Sequence, residues 1–232
     1  MDNDINILLV SASPRRYGAV GFVEKFVIEL GKDVEKINIS AINVYEYNIQ
    51  PCIGCVSDNV KFCVFPCIIE DDMRNLYITV LKSDGFIFIT PVYWYNIPGP
   101  LKNFIDRLTV LENAIFIEGR SKVEGKVAGF IAVGNDTGAL AVIQNLMAIM
   151  NSFGIAIPPW ALAYHESEED PVNNEKFILD VANVLRCVVL MVKLLKGKIH
   201  HVDYWYRADN DYISTTINIA KRVYNMLLDE IN

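Results

Sequence analysis

The stretch Ile5-Asn6-Ile7-Leu8-Leu9-Val10-Ser11-Ala12-Ser13-Pro14-Arg15-Arg16-Tyr17-Gly18 decides the fold. Residues 5–10 form a near-continuous apolar run, the pattern of a strand covered on both faces rather than half exposed. A short polar turn follows, and residues 19–31 carry the spacing of an amphipathic helix. A buried strand delivered straight into a helix start is the opening of a βαβ unit. At such a junction the free N–H groups and the helix dipole make an anion site. Ser13 adds a hydroxyl there, and Arg15 and Arg16 add positive charge suited to a phosphate. The plain alternative is a turn in which Ser13 merely caps and both arginines sit in water; the place directly after the first buried strand favours the phosphate.

Outward from this stretch the alternation continues. Strands are expected at 35–39, 85–90 and 126–133 and within 155–164, with helices at 72–82, 101–112 and 138–153. Residues 40–71 read as an irregular, cysteine-bearing loop. Right-handed crossovers between such strands give a parallel sheet covered on both sides. Five strands suit the doubly wound order 2-1-3-4-5, which binds ligands where the first and third strands diverge. The whole chain, 1–232, reads as one domain, with 166–212 as a helical insertion. Within it, 175–196 is apolar on most of its circumference, so it is either buried in its own subunit or lies at an oligomer contact. The contact is the favoured reading and implies a homodimer or homotetramer. Residues 197–212 read as an aromatic-rich connection, and 213–230 as an amphipathic helix closing the sheet.

Composition narrows the function. Hydrophobic residues make up 52% of the 232, which excludes a disordered chain. The net charge of −7 and a pI near 5.0 argue against nucleic acid or an anionic membrane as partner. The acidic N-terminus lacks a signal-peptide pattern and no apolar run is long enough to span a bilayer, so a cytoplasmic protein is expected. Neither a Gly-x-Ser-x-Gly elbow nor a P-loop is present. His200 and His201 read as surface residues. His165 follows the last strand, near the ligand edge with Tyr164, and reads as exposed. Cys187 reads as a small core residue.

The second informative segment is Thr90-Pro91-Val92-Tyr93-Trp94-Tyr95-Asn96-Ile97-Pro98. Three consecutive aromatics cannot all enter the core, because neighbours point in different directions. At a strand end they suit a planar, amphipathic ligand, unless they form an apolar cluster under a loop or at a dimer contact. Cys52, Cys55, Cys63 and Cys67 lie within sixteen residues rich in Pro and Gly. Four thiolates so placed can hold a [4Fe–4S] cluster or a zinc ion; free thiols and disulfides are the alternatives.

These motifs together resemble the flavodoxin-like NAD(P)H-dependent FMN reductase family. The first loop shares its Ser-Pro-Arg core and Gly18, while Ala19 and Val20 replace polar residues usual there. Residues 90–107 resemble its Thr-Pro-x-Tyr-Trp loop and Leu-Lys-x-Phe-x-Asp-Arg helix, in which the residues matching Lys102, Asp106 and Arg107 are mainly structural. The resemblance implies FMN with its phosphate at Ser13, Arg15, Gly18, Ala19 and Val20. It implies the ring between Pro91, Val92, Tyr93, Trp94, Tyr95 and Asn96 on one side and Gly134, Asn135, Asp136 and Gly138 on the other. Asp136 is expected to cap the following helix rather than face the flavin. The cysteines resemble those of the family's iron–sulfur flavoprotein branch, which favours a [4Fe–4S] cluster, although Asp58 stands where that branch places its third cysteine. The implied activity is an oxidoreductase with no catalytic side chain, since the flavin carries the chemistry. Electrons would pass from NAD(P)H or a protein donor to a flavin, a quinone or an iron–sulfur centre. An iron–sulfur electron carrier and a binding module without redox activity are the alternative readings.

Overall fold

The computed structural model describes residues 5–196 together with 211, 213–215, 218 and 219. Most of the expected connection and closing helix, with His200 and His201, lies outside the described residues. Five parallel strands form one sheet in the order β2-β1-β3-β4-β5: β1 Asn6–Ser11, β2 Asn38–Asn43, β3 Gly85–Pro91, β4 Val127–Gly134 and β5 Leu162–Glu166. The three inner strands are buried along almost their whole length, as their apolar runs require.

The two edge strands lie further along the chain than the sequence suggests. Helix α1 (Ala19–Leu30) continues into a π-helical turn, Gly31–Glu35, and only Lys36, with φ of 55°, turns the chain into β2. Asn38 and Ser40 on this strand are partly solvated, so it never shows a long apolar run. A single bridge from Ala156 to Val127 of β4 comes first; Pro158 and Pro159, which cannot donate ladder hydrogen bonds, then interrupt the pairing, and it resumes as β5 at Leu162. The expected helix over 101–112 divides into α3 (Gly99–Arg107) and α4 (Thr109–Glu112), followed by α5 (Ala114–Glu118).

Helices α2 (Met73–Lys82), α3 and α6 (Ala139–Ser152) share the core on one face of the sheet. Helices α1 and α7 (Glu175–Leu195) cover the other. Of the two readings of 175–196, burial in its own subunit is the one seen on the inner face of the helix, while Leu179, Leu190 and Leu194 stay exposed on the outer one. Phe177, Val181, Val184, Leu185, Val188, Val189 and Val192 share a core with Ile87, Val127, Ile131 and Ala163 on β3, β4 and β5 of the chain's own sheet. The apolar circumference is broad because α7 meets both the sheet and α1. The helix is thus an integral layer of the fold rather than an appended piece. Among the described residues no helix is long and apolar enough to cross a membrane.

Candidate functional site

The carboxyl ends of β1, β3, β4 and β5 surround an open cleft of about 560 Å³. On its β1 side, the chain leaves Ser11 and turns through Ser13, whose hydroxyl accepts the Arg15 N–H at 3.1 Å. Asn43, at the end of β2, donates to the Ser13 carbonyl at 2.8 Å and ties the turn to the sheet edge. Gly18 begins α1 without a side-chain cap, so the first-turn N–H groups stay available to a ligand. Ser13, Arg15, Gly18, Ala19 and Val20 all line the cleft. Arg16 does not: it pairs with Glu46 at 2.7 Å, on the β2 side of the loop. Gly21 is a residue the sequence reading passed over. A Cβ there would lie 2.0 Å from the Arg16 carbonyl oxygen, so the turn closes onto α1 only over a glycine. Its spacing from Gly18 is the signal that was present.

The β3 loop carries the aromatics on a tight turn. The N–H of Tyr93 donates to the Asn96 carbonyl at 2.8 Å, and the Asn96 N–H returns to Tyr93 at 3.0 Å. Trp94 and Tyr95 between them have φ of 51° and 62°, the left-handed pair of a type I′ turn usually given to Asn and Gly. Holding an indole and a phenol there costs backbone energy, a cost more often met at functional sites than elsewhere. Trp94 is 95% exposed. Tyr93 lies beside Tyr45, whose phenol is pushed up by burial and by that neighbour. Tyr95 points the other way, with its ring over Gly138. Neighbouring aromatics do diverge, as expected.

Two residues expected to face the ligand stand behind this turn, outside the cleft lining. Asn96 accepts its own neighbour's N–H (Ile97, 2.9 Å) and so shapes the base of the turn. Gly138, at φ of 102°, leaves room for Tyr95: a Cβ would lie 2.9 Å from the tyrosine ring. Pro91, Val92, Tyr93, Trp94 and Tyr95 line the cleft, as do Gly134, Asn135 and Asp136.

On the far side, the helix cap is a correction. Glu166, the last residue of β5, accepts the Ala139 N–H at 2.8 Å and caps α6, while Asp136 accepts only the adjacent Thr137 N–H. Because β5 runs to Glu166, the acidic loop after it reaches the cleft, where Ser167, Glu168, Glu169 and Asp170 join Asp136. His165 is buried rather than exposed. Its Nε2 donates to the Glu169 carbonyl at 2.9 Å, and Nδ1 accepts from the Asn174 amide at 3.3 Å. Asn174 is oriented by accepting the Phe177 N–H, so His165 pins the acidic loop to α7. Tyr164 is half exposed and lies outside the cleft lining.

The cysteine loop is anchored from beneath. Arg107 and Asp71, both inaccessible to solvent, form a bidentate pair at 2.6 and 3.1 Å. Arg107 also donates to the carbonyls of Gln50 and Ile69. Asp71 accepts the N–H groups of Gln50 and Met73. Burial works to raise the Asp71 pKa, but the guanidinium and these N–H groups prevail and hold it below the usual carboxylate range. Asn113, also buried, donates to the carbonyls of Val60 and Cys63. Burial pushes the Cys63 thiol up to about 12, with Cys55, Cys67 and Cys52 adding to the effect, so the four thiols share one neighbourhood. They do not form a ready cage: among the described residues no three Cys, His, Asp or Glu side chains converge to hold a metal ion, and the cysteines are free. Cys187 is partly buried on α7.

Sheet order, two-sided helical cover and a cleft at the switch point define a flavodoxin-like α/β protein. The chain belongs to the NADPH-dependent FMN reductase family, whose model matches residues 5–169. It is similar to an iron–sulfur flavoprotein of Archaeoglobus fulgidus, 30% identical over 160 residues that make up 67% of this chain and 66% of that one. An iron–sulfur flavoprotein of Methanocaldococcus jannaschii is 32% identical over 133 residues, 55% of this chain and 60% of the other. The chain therefore spans less than two thirds of the length of these relatives. Among solved structures, RosB with bound 8-demethyl-8-formylriboflavin-5′-phosphate matches with a TM-score of 0.70 at 14% identity, covering 94% of this chain and 87% of that one. That likeness is one of fold.

Proposed function

We propose that this chain is an FMN-dependent oxidoreductase that holds its flavin in the cleft at the carboxyl ends of β1, β3 and β4. One observation carries the reading: a single cavity joins an uncapped helix start, with Arg15 beside it, to a rigid aromatic turn. In this reading the first-turn N–H groups of α1, Ser13 and Arg15 take the phosphate. Pro91, Val92 and Tyr93 give the ring an apolar wall, and the backbone of Gly134 and Asn135 lies along its far edge. Bound FMN would supply the electron-transfer chemistry itself. The protein's residues bind, orient and shield it. His165, with both ring nitrogens engaged, is a positioning residue and not an acid or base. Electrons enter from NAD(P)H or a protein donor and leave to a flavin, quinone or iron–sulfur acceptor.

A second reading, an electron carrier bearing an iron–sulfur cluster, is favoured by the shared neighbourhood of Cys52, Cys55, Cys63 and Cys67. It requires the loop to draw four thiols together that do not converge as they stand.

The test is an FMN titration of anaerobically purified protein, with flavin, iron and acid-labile sulfide assayed on the same sample. Stoichiometric FMN uptake, weakened in Arg15→Ala, supports the first reading; iron and sulfide accompanying the flavin favour the second. Failure to take up FMN overturns both. Bleaching of bound flavin by NADH or NADPH under anaerobic conditions then identifies the donor.

A further inference from the structure

The cysteine loop folds back on itself. Two short 3₁₀ turns, Cys55–Ser57 and Val60–Phe62, are joined through Asp58 and Asn59. The Asn59 N–H donates to the Cys55 carbonyl at 3.4 Å, and the Cys63 N–H to the Val60 carbonyl at 3.3 Å. This reversal brings the Cys55 thiol, which donates to the Phe62 carbonyl at 3.8 Å, next to Cys63. Peptide geometry puts the Cys63 Cα about 2.8 Å from that carbonyl oxygen, so the Cys55 sulfur lies no more than about 7 Å from it. Of the other three cysteines in the loop, Cys55 alone meets Cys63 through a side-chain contact as well as by charge. Asn113 clamps the Cys63 end, donating to the Val60 carbonyl at 2.8 Å and the Cys63 carbonyl at 2.7 Å. The remaining pair turns elsewhere: Cys52 accepts the Gly54 N–H at 3.4 Å, and Cys67 faces the Tyr77 hydroxyl. Cys63 is buried among apolar side chains, where a neutral sulfur is favoured over a thiolate.

We propose that, when the loop holds no metal, Cys55 and Cys63 form a reversible disulfide. The co-reactant is a low-molecular-weight disulfide. Cys55, the less buried of the two, attacks one of its sulfurs and releases the first small thiol. The Cys63 sulfur gives up its proton and displaces the second small thiol from Cys55. One disulfide bond is thus exchanged for another: two thiols of the loop are oxidised, and the small disulfide is reduced to two thiols. Closed, the loop keeps Cys52 and Cys67 as thiols, too few for a four-thiolate cluster; reduced, it offers four. The inference concerns the loop alone and does not rest on the flavin reading. Set beside the iron–sulfur reading, it makes cluster loading depend on prior reduction of this bond.

The test uses the full chain, stripped of metal with EDTA, reduced, and then equilibrated with millimolar oxidised glutathione. Its mass should fall by that of two hydrogens, and dithiothreitol should restore it. Trypsin cuts after Lys61, between the two cysteines, so the bond should join the peptide of Cys55 to that of Cys63 until it is reduced. Chains so linked should outnumber those carrying glutathione on Cys55 or Cys63 at least about tenfold, because the second thiol is already in place. The double variant Cys52→Ser, Cys67→Ser should keep the yield of joined peptides within about twofold, whereas Cys55→Ser should lower it at least about tenfold. Fragmentation of the joined peptides from the natural chain locates the bond independently of how any variant folds. A bond located at another pair, joined peptides that persist in Cys55→Ser, or no bond formed in oxidised glutathione overturns the inference. FMN plays no part in these measurements, so a failure to take up flavin strikes the flavin reading alone.

Discussion

Replacing Asp71 by Asn removes one charge from the pair that anchors the cysteine loop, at almost constant volume. Both side chains are inaccessible to solvent, and Asp71 accepts two hydrogen bonds from Arg107 and two from backbone N–H groups. An asparagine presents an NH₂ group to donors on one side and leaves the guanidinium as an unneutralised buried cation. Breaking a buried pair in this way costs about 3–5 kcal/mol. With a urea m-value of about 2 kcal/mol/M, the midpoint should fall by roughly 1.5–2.5 M. Replacing both residues, Asp71→Asn with Arg107→Met, should cost less than the single change, because no lone charge remains. The pH dependence has a definite sign. The Asp71 pKa is held down in the folded state, so its contribution is complete above the unfolded value of about 3.9 and is lost as pH falls through the lower folded value. The natural protein should therefore lose stability in that acid window by more than Asp71→Asn does. Urea titrations at neutral and acid pH measure all of this. A shift under about 0.5 M in the single variant, or a double variant worse than the single, would refute the reasoning.

Three further outcomes follow from the loops. Gly21→Ala should weaken FMN binding at least about tenfold, read by flavin fluorescence titration, because its methyl group meets the Arg16 carbonyl and opens the phosphate turn. Trp94→Gly should release about 1 kcal/mol of left-handed backbone strain and raise Tm by about 2–4 °C, while weakening flavin binding; a lower Tm would argue against strain at that turn. Glu166→Ala should cost about 1 kcal/mol as a lost helix cap, whereas Asp136→Ala should leave thermal stability nearly unchanged, and calorimetry on the pair distinguishes them.

The inner strands and two of the loops that line the cleft were legible because burial on both faces and the abrupt passage into a helix leave strong local patterns. Ser13 to Val20 and Pro91 to Tyr95 needed no long-range information to be marked as loops at the ligand edge of the sheet, where they line the cleft. The edges were harder to read. Asn38 and Ser40 dilute the apolar signal of β2, and Pro158-Pro159 splits the last strand into a bridge at Ala156 and the ladder that starts at Leu162. Partners supplied from distant segments left no local trace: Glu46 drawing Arg16 aside, Glu166 capping α6 in place of Asp136, and Glu169 and Asn174 burying His165. The apolar girth of 175–196 was visible, but whether a sheet or a second subunit covers it is a tertiary fact. The cysteine spacing showed that four thiols lie close together and could not show whether they converge.

The docking of α7 also bears on the order in which the molecule is assembled. Every loop of the cleft, from Ser13 to Pro171, is synthesised before Glu175–Leu195. Until α7 arrives, Val127, Ile131 and Ala163 lack cover on one side of the sheet, and the His165–Asn174 clasp on the acidic loop has not closed. The acidic side of a cleft whose first loop is made early thus takes its final shape only when α7 docks. This long-range closure slows folding and leaves an apolar sheet face open in the nascent chain.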